Sequence, residues 1–440
     1  MAKLQWTETD RRMWALAVPA FGALIAEPLY VLADTAVVGH LGTAQLGGLA
    51  LASQVLLTVH SVMIFLAYGT TASVSRLAGA GRDTDATRQG IQSMWLALGM
   101  GGVATTVLFI MSDTMLKILG GEGEVLIAAR IYLRISLFGL PAMLLMLAGV
   151  GYLRGVQDTV RPLIVAIVTA TANLVIELIA IYVFDLGIGA SATATVIAQW
   201  SGAAIYIGWV RAEVAGKGVS LRPDTKVLRA LLNMAGDLFI RTAALRASFV
   251  VAVAAAARID DVSLASHEIA FVLWSICALA LDAIAIAAQS LVGFALGSSD
   301  ALFAREVGRR SIWWGITAGV LLAILVGLGS PLLPHVFSSD ARVVELSGFL
   351  LVYVALAQPL NGVVFALDGV LIGAGDLRFL AIAMTASAAL FIPAALAVPA
   401  LGLGIGWLWG AVWLLMIFRC ATLLWRFKSG RWIQLGAILD

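Results

Sequence analysis

Long apolar runs broken by short charged or Gly/Pro-rich stretches set the pattern of this chain. Twelve runs stand out, six at about 13–38, 45–74, 90–112, 126–152, 162–184 and 188–210, and six more at about 228–257, 264–296, 311–333, 343–372, 379–399 and 402–425. As helices rising about 1.5 Å per residue, each reaches across a hydrocarbon layer of about 30 Å. The short alternating segments of an outer-membrane barrel are absent from the pattern. The expected fold is an all-α polytopic membrane protein of twelve transmembrane helices.

Composition agrees. The 440 residues are 61% hydrophobic and 12% charged, with mean hydropathy +0.99, which excludes an ordinary soluble domain. The net charge of +2 says little about partners; the apolar composition makes the bilayer the partner expected, with small organic substrates and no nucleic acid. Cys277 and Cys420 sit in apolar runs with no motif spacing and read as packing residues. Lys3, Arg11 and Arg12 precede a full-length span rather than a cleavable leader. Placing the N-terminus inside puts Arg76, Arg82, Arg88, Arg154, Arg161, the Arg211–Arg229 stretch, Arg305, Arg309, Arg310 and Arg378 on one side. Only Lys117, Arg258 and Arg342 remain for the other. The positive-inside rule therefore predicts cytoplasmic termini.

The chain also repeats itself. Leu77-Ala-Gly79-Ala-Gly81 recurs as Leu291-Val-Gly293-Phe-Ala-Leu-Gly297, and Arg154-Gly155-Val-Gln-Asp158 as Ile372-Gly373-Ala-Gly-Asp376. Six spans per copy preserve orientation, so the copies form parallel repeats. The expected organisation is a cytoplasmic tail (1–12), a six-helix lobe (13–210), a basic cytoplasmic linker (211–227), a second lobe (228–425) and a cytoplasmic tail (426–440). The two pseudo-symmetric lobes would flank a central cleft.

Polar residues inside the spans carry the candidate chemistry, because a carboxylate there costs a few kcal/mol and faces protein or water. Asp34 and Glu27 lie two turns apart on one face of the first span, with Pro28 beside them to bend it. Asn173 and Glu177, four residues apart, share a face of the fifth span. In the second half Asp282 shares a face with Gln289, and Asn361 with Asp368. These faces suit a cavity wall, a proton or Na⁺; the competing reading is a polar helix–helix contact. Tyr30 offers a ring face to a cationic substrate. His60, a lone histidine in the second span, reads as a packing residue.

The run Pro28-Leu-Tyr-Val-Leu-Ala-Asp34-Thr-Ala-Val-Val-Gly-His40-Leu-Gly42 resembles the multidrug and toxic compound extrusion (MATE) transporters, in particular their DinF-like branch. So do Asp237-Leu-Phe-Ile-Arg-Thr242, Leu281-Asp-Ala-Ile-Ala-Ile-Ala-Ala-Gln-Ser-Leu-Val-Gly293 and Leu367-Asp-Gly-Val-Leu-Ile-Gly-Ala-Gly-Asp376. The resemblance implies a multi-pass inner-membrane antiporter that exports organic and often cationic amphipathic compounds by alternating access; a two-lobed carrier of this kind is complete as a monomer. The exchanged ion would be H⁺ in preference to Na⁺. By the same resemblance Asp34 is the coupling carboxylate and Pro28 the bending point. The family's tenth-helix aspartate, implicated in cation coupling in some members, falls on Asp368, whereas the fifth-span position where some relatives carry aspartate is Glu177 here. From the helix faces alone, Glu177, Asn173 and Asp282 are the other coupling candidates, with Asp368 and Asp282 the candidates for Na⁺. Substrate contacts fall to Glu27, Tyr30, Asp34, Asn361 and Gln289. No cofactor and no resident metal are implied. The alternative is a lipid or lipid-linked-precursor flippase of the same superfamily. An enzyme is not expected: the sequence has no HExxH, nucleophile elbow or phosphate-binding loop.

Overall fold

In the computed structural model, which describes residues 6–437, the described chain is built of helices joined by short connections. The helices are α1 (Glu8–Gly39), α2 (Thr43–Met63), α3 (Phe65–Gly79), α4 (Asp83–Ile118), α5 (Gly123–Ser136), α6 (Leu140–Gly155), α7 (Val160–Leu178) and α8 (Ile188–Lys217). There follow α9 (Thr225–Ala257), α10 (Asp261–Gly297), α11 (Ala301–Gly329), α12 (Pro334–Phe337), α13 (Ala341–Gly373), α14 (Leu377–Ala400) and α15 (Ile405–Ser429). With α2–α3 and α5–α6 each making one span, eleven spans are long and apolar enough to cross a membrane. The 30-residue α8 completes the expected twelve.

The interruptions have local causes. Between α5 and α6 a 3₁₀ turn covers Leu137–Gly139. Pro141 has no N–H to return to Leu137, and the Thr105 hydroxyl donates to that carbonyl instead, at 2.9 Å. α7 ends in a π-helical stretch, Ile179–Val183, immediately after Glu177, a distortion common at functional sites.

Helices outrun the apolar stretches that predict them, because their polar ends extend beyond the hydrocarbon. α8 reaches Lys217 and α9 starts at Thr225, so the 211–227 linker is helical at both ends. The presumed tails carry structure too. α1 begins at Glu8, and Asp10 is buried, accepting from Trp314 Nε1 at 2.8 Å. Beyond α15, Trp432 is buried and stacks on Phe427. Lys3 and residues 1–5 and 438–440 lie outside the described residues.

Contacts divide the chain into two compact units: Gly22–Ala235, and the chain up to Phe21 joined with Gly236 onward. Helices α1 and α9 each pass from one unit into the other.

The repeat is visible in the backbone, with its first motif shifted by four residues from the sequence match: Gly79 answers Gly297 rather than Gly293, and Gly81 answers Ser299. Six helices end in a paired closure, in which the second residue after the cap bonds back five positions and its predecessor bonds back three; besides those at Gly121 and Leu403, four fall into related pairs. Arg82 N–H reaches Leu77 O, Asp158 reaches Leu153, Asp300 reaches Ala295 and Asp376 reaches Leu371. This closure needs a left-handed residue, supplied by Gly81 (φ 70), Gln157 (φ 63), Ser299 (φ 61) and Gly375 (φ 73). The first and third, and the second and fourth, are each separated by 218 residues.

Close helix contacts repeat at the same spacing. In the second unit a Cβ at Gly315 would sit 2.3 Å from the Gly362 carbonyl oxygen, and one at Gly369 2.2 Å from that of Ala285. α13 therefore lies backbone-to-backbone against α11 and α10, as small residues allow in membranes. In the first unit Gly151 meets Ala67 O of α3, and Gly101 meets Pro141 of α6, just as Gly319 meets Pro359.

Candidate functional site

The first unit holds a buried polar network assembled from four helices. Asp34 of α1 is 5% exposed; its Oδ1 accepts from Ser191 Oγ at 2.8 Å and its Oδ2 from the Tyr132 hydroxyl at 3.4 Å. Glu177 of α7 is fully buried beside Asp34 and Ser191. Among the described residues, neither Glu177 oxygen has a hydrogen-bond donor. Two carboxyl groups in contact hydrogen-bond only when one holds a proton, since two carboxylates offer acceptors alone and repel.

A second set of contacts leads away from this pair. Thr195 Oγ1 meets the Tyr30 hydroxyl at 2.8 Å, accepts from Asn173 Nδ2 at 3.1 Å and reaches the Ser191 carbonyl at 3.2 Å. The local sequence explains the arrangement. Asn173 and Glu177 on α7, and Ser191 and Thr195 on α8, are each four residues apart, so two helix faces meet with polar groups in register.

Tyr30, Asn173 and Thr195 also border a cavity of about 240 Å³, with Glu27, His60, Thr169 and Gln199 as its other polar lining. Its remaining wall is apolar and includes Ala23, Met146, Val150, Ala166 and Ala198. Glu27, half exposed, is paired with His60, whose Nδ1 lies 2.8 Å from Glu27 Oε1. The histidine expected to be mere packing thus faces the cavity with a carboxylate partner. Pro28 sits within an unbroken α1. Its missing N–H leaves the Leu24 carbonyl without the usual helical donor.

The predicted residues of the second half are arranged differently. Asp368 of α13 is buried, and its Oδ2 accepts from Arg241 Nη2 of α9 at 2.7 Å and from Arg419 Nη2 of α15 at 2.6 Å. The void beside it, about 10 Å³, has room for a water and nothing larger. Asn361 and Gln289 are buried and Asp282 partly so. Asn361 Oδ1 has no donor among the described residues.

The 218-residue relation explains why the two halves differ. Ala23, Val150, Ala166 and Ala198, whose small side chains leave the first cavity open, correspond to Arg241, Asp368, Met384 and Met416. Bulk and an ion-paired cluster replace space. Conversely, Asp34, Asn173, Glu177, Ser191 and Thr195 correspond to Ala252, Phe391, Ala395, Trp409 and Trp413.

Sequence reasoning singled out Asp34, Asn173, Glu177, Glu27 and Tyr30, which the fold brings to one network and cavity. It missed Ser191, Thr195, Tyr132, His60 and Arg419. For Ser191 and Thr195 the i, i+4 spacing was the available signal; for Arg419 an arginine inside an apolar run was.

The MatE family model matches residues 19–179 and 238–396. Protein DETOXIFICATION 44, chloroplastic, of Arabidopsis thaliana is 31% identical over 96% of this chain and 83% of its own length. DNA damage-inducible protein F of Escherichia coli K12 is 28% identical over 97% and 94%. A probable multidrug resistance protein NorM of Thermotoga maritima is 26% identical over 98% and 95%. Among solved structures, an outward-facing multidrug resistance MATE family transporter of the MOP superfamily superposes with TM-score 0.86 at 19% identity, covering 97% of each chain.

Proposed function

The chain belongs to the MatE family of multidrug efflux transporters, and we propose that it exports organic cations in exchange for H⁺, with the Asp34–Glu177 pair as the coupling site. One observation carries the reading: two carboxyl groups in contact inside a membrane span, linked through Ser191, Thr195, Asn173 and Tyr30 to a cavity with its own carboxylate. Such a pair accommodates a proton at low cost, and its full ionisation needs a compensating positive charge.

In this reading a cation in the cavity stabilises the ionised network, and a proton arriving at Asp34 and Glu177 neutralises it and releases the cation. Coupling follows because proton and substrate favour different states; equal preference would shift nothing. Pro28, with no N–H for Leu24, lets α1 bend as Asp34 changes charge. The C-half acids are assigned a structural role, since a Na⁺ at Asp368 would have to displace two guanidinium groups. Charge asymmetry of the loops supports cytoplasmic termini in a bacterial inner membrane, and one chain holds the complete network, as a monomeric carrier requires.

The test is efflux of a fluorescent organic cation from sealed liposomes under an imposed pH gradient and then a Na⁺ gradient, with wild type, Asp34→Asn and Glu177→Gln compared. Loss of pH-driven transport in folded variants is expected. A folded Asp34→Asn protein that still couples to the pH gradient would sink the reading. No wild-type transport under either gradient would redirect attention to lipid substrates.

A further inference from the structure

The Glu27–His60 pair stands apart from the Asp34–Glu177 network, yet it supplies the cavity's only carboxylate among the described lining residues. Resting on the cation–proton exchange above, we propose that His60 is a second proton-exchanging group, whose imidazolium occupies Glu27 in the substrate-free cavity and is discharged when an organic cation takes its place.

The geometry supplies the reason. At 2.8 Å the His60 Nδ1–Glu27 Oε1 contact is a hydrogen bond with its proton on the ring nitrogen. With His60 charged, the pair is neutral overall and offers a cation nothing. With His60 neutral, Glu27 is a net negative charge facing a small, mostly apolar cavity. Two positive charges cannot both be matched by one carboxylate in a space of about 240 Å³, so cation and His60 proton compete. Histidine changes charge between about pH 5 and 8, where an imposed pH gradient acts.

The neighbouring charged groups leave this competition local. α1 presents Glu27 and Tyr30 to the cavity, and Asp34 lies further along with Ser191 and Tyr132. α5, packed along α2, carries Arg130 and Arg134, both paired with Asp113 of α4. From α7, Glu177 stands against Asp34 rather than lining the cavity.

Two exchanged protons per monovalent cation have a countable consequence. Binding of tetraethylammonium, a probe sized for the cavity, should release two protons from the wild-type protein. Its Kd should rise up to about a hundredfold per unit of acidification where both groups titrate, against tenfold for one proton. Transport of two protons against one cation moves net charge, so an inside-negative potential should accelerate efflux.

The experiment measures tetraethylammonium affinity and dye-reported proton release on purified full-length protein across pH 5.5–8, for wild type and His60→Gln. Glutamine keeps an N–H donor for Glu27 but does not titrate. The expected result is two protons for wild type, one for His60→Gln, and loss of potential dependence in the variant's liposome transport. One proton released by the wild type overturns the inference without any variant having to fold, and an unchanged pH slope in His60→Gln does so too. Failure of the tetraethylammonium probe to bind wild type at any pH also overturns it. The exchange reading falls separately, if the Asp34→Asn/His60→Gln double variant, in which neither site can exchange a proton, retains pH-driven transport.

Discussion

Asp368→Asn separates a structural anchor from a coupling group. The Asp368 carboxylate serves two guanidinium groups, and the side chains of Asp368, Arg241 and Arg419 are 10%, 11% and 7% exposed. Asparagine keeps the shape but removes the negative charge, leaving two buried cations with their shared counter-charge gone. Breaking a buried ion pair from one side costs about 3–5 kcal/mol, and that is the loss expected here. Replacing Arg419 with methionine in the same background removes one stranded cation and should restore roughly half of it, since well-packed apolar side chains substitute for buried ion pairs at little cost. The assay is built in: Cys277 and Cys420 are free and buried, so a thiol-reactive fluorophore reports thermal unfolding in detergent. Transport per folded molecule should survive in the Asp368→Asn/Arg419→Met protein. The reasoning is refuted if Asp368→Asn changes stability by less than about 0.5 kcal/mol, the range of an inconsequential surface change, while abolishing ion-driven transport. Asp368 would then be a coupling carboxylate after all.

Two further predictions come from the backbone and the cavity wall. Gln157→Gly and Ser299→Gly relieve left-handed residues that cost about 1–2 kcal/mol, partly offset by glycine's larger unfolded-state entropy, so each should stabilise by about 0.5–1 kcal/mol; Gly81→Ala and Gly375→Ala should destabilise in the same thiol assay. Ala166→Met places in the first unit the side chain size found at Met384 and should weaken tetraethylammonium binding about tenfold, or 1.4 kcal/mol, with the melting temperature close to wild type. Unaltered affinity would show that the cation binds elsewhere.

The twelve spans were legible because lipid imposes one rule on every crossing: a continuous apolar helix that satisfies its own backbone. The repeat was legible because its Gly and Asp residues punctuate helix ends, where only a few residue types fit. Asp34 and the Asn173–Glu177 face were legible because a polar side chain in a span is conspicuous and helical spacing is fixed. What the sequence withheld was partnership across distance. Ser191 meets Asp34 from 157 positions away, and Arg419 meets Asp368 from 51. No local period encodes such meetings. The Glu27 partner of His60, 33 residues earlier, was hidden for the same reason. The helix ends were misplaced because hydropathy marks where hydrocarbon stops, whereas hydrogen bonding continues into the polar turns beyond.

The 218-residue correspondence has an evolutionary consequence. Positions that shape the scaffold are kept in both halves: the closures at Gly81 and Ser299, the tight approaches at Gly101 and Gly319 and at Gly151 and Gly369, and the prolines at 141 and 359. Positions that carry chemistry are kept in neither, for acids and hydroxyls on one side face alanine, phenylalanine and tryptophan on the other. The two sets barely overlap. The packing common to both halves therefore places no demand on the cavity side chains, which are free to differ between them without any change at the helix contacts. New substrate ranges should arise by the same route, at the handful of wall positions where small and large residues alternate between the copies.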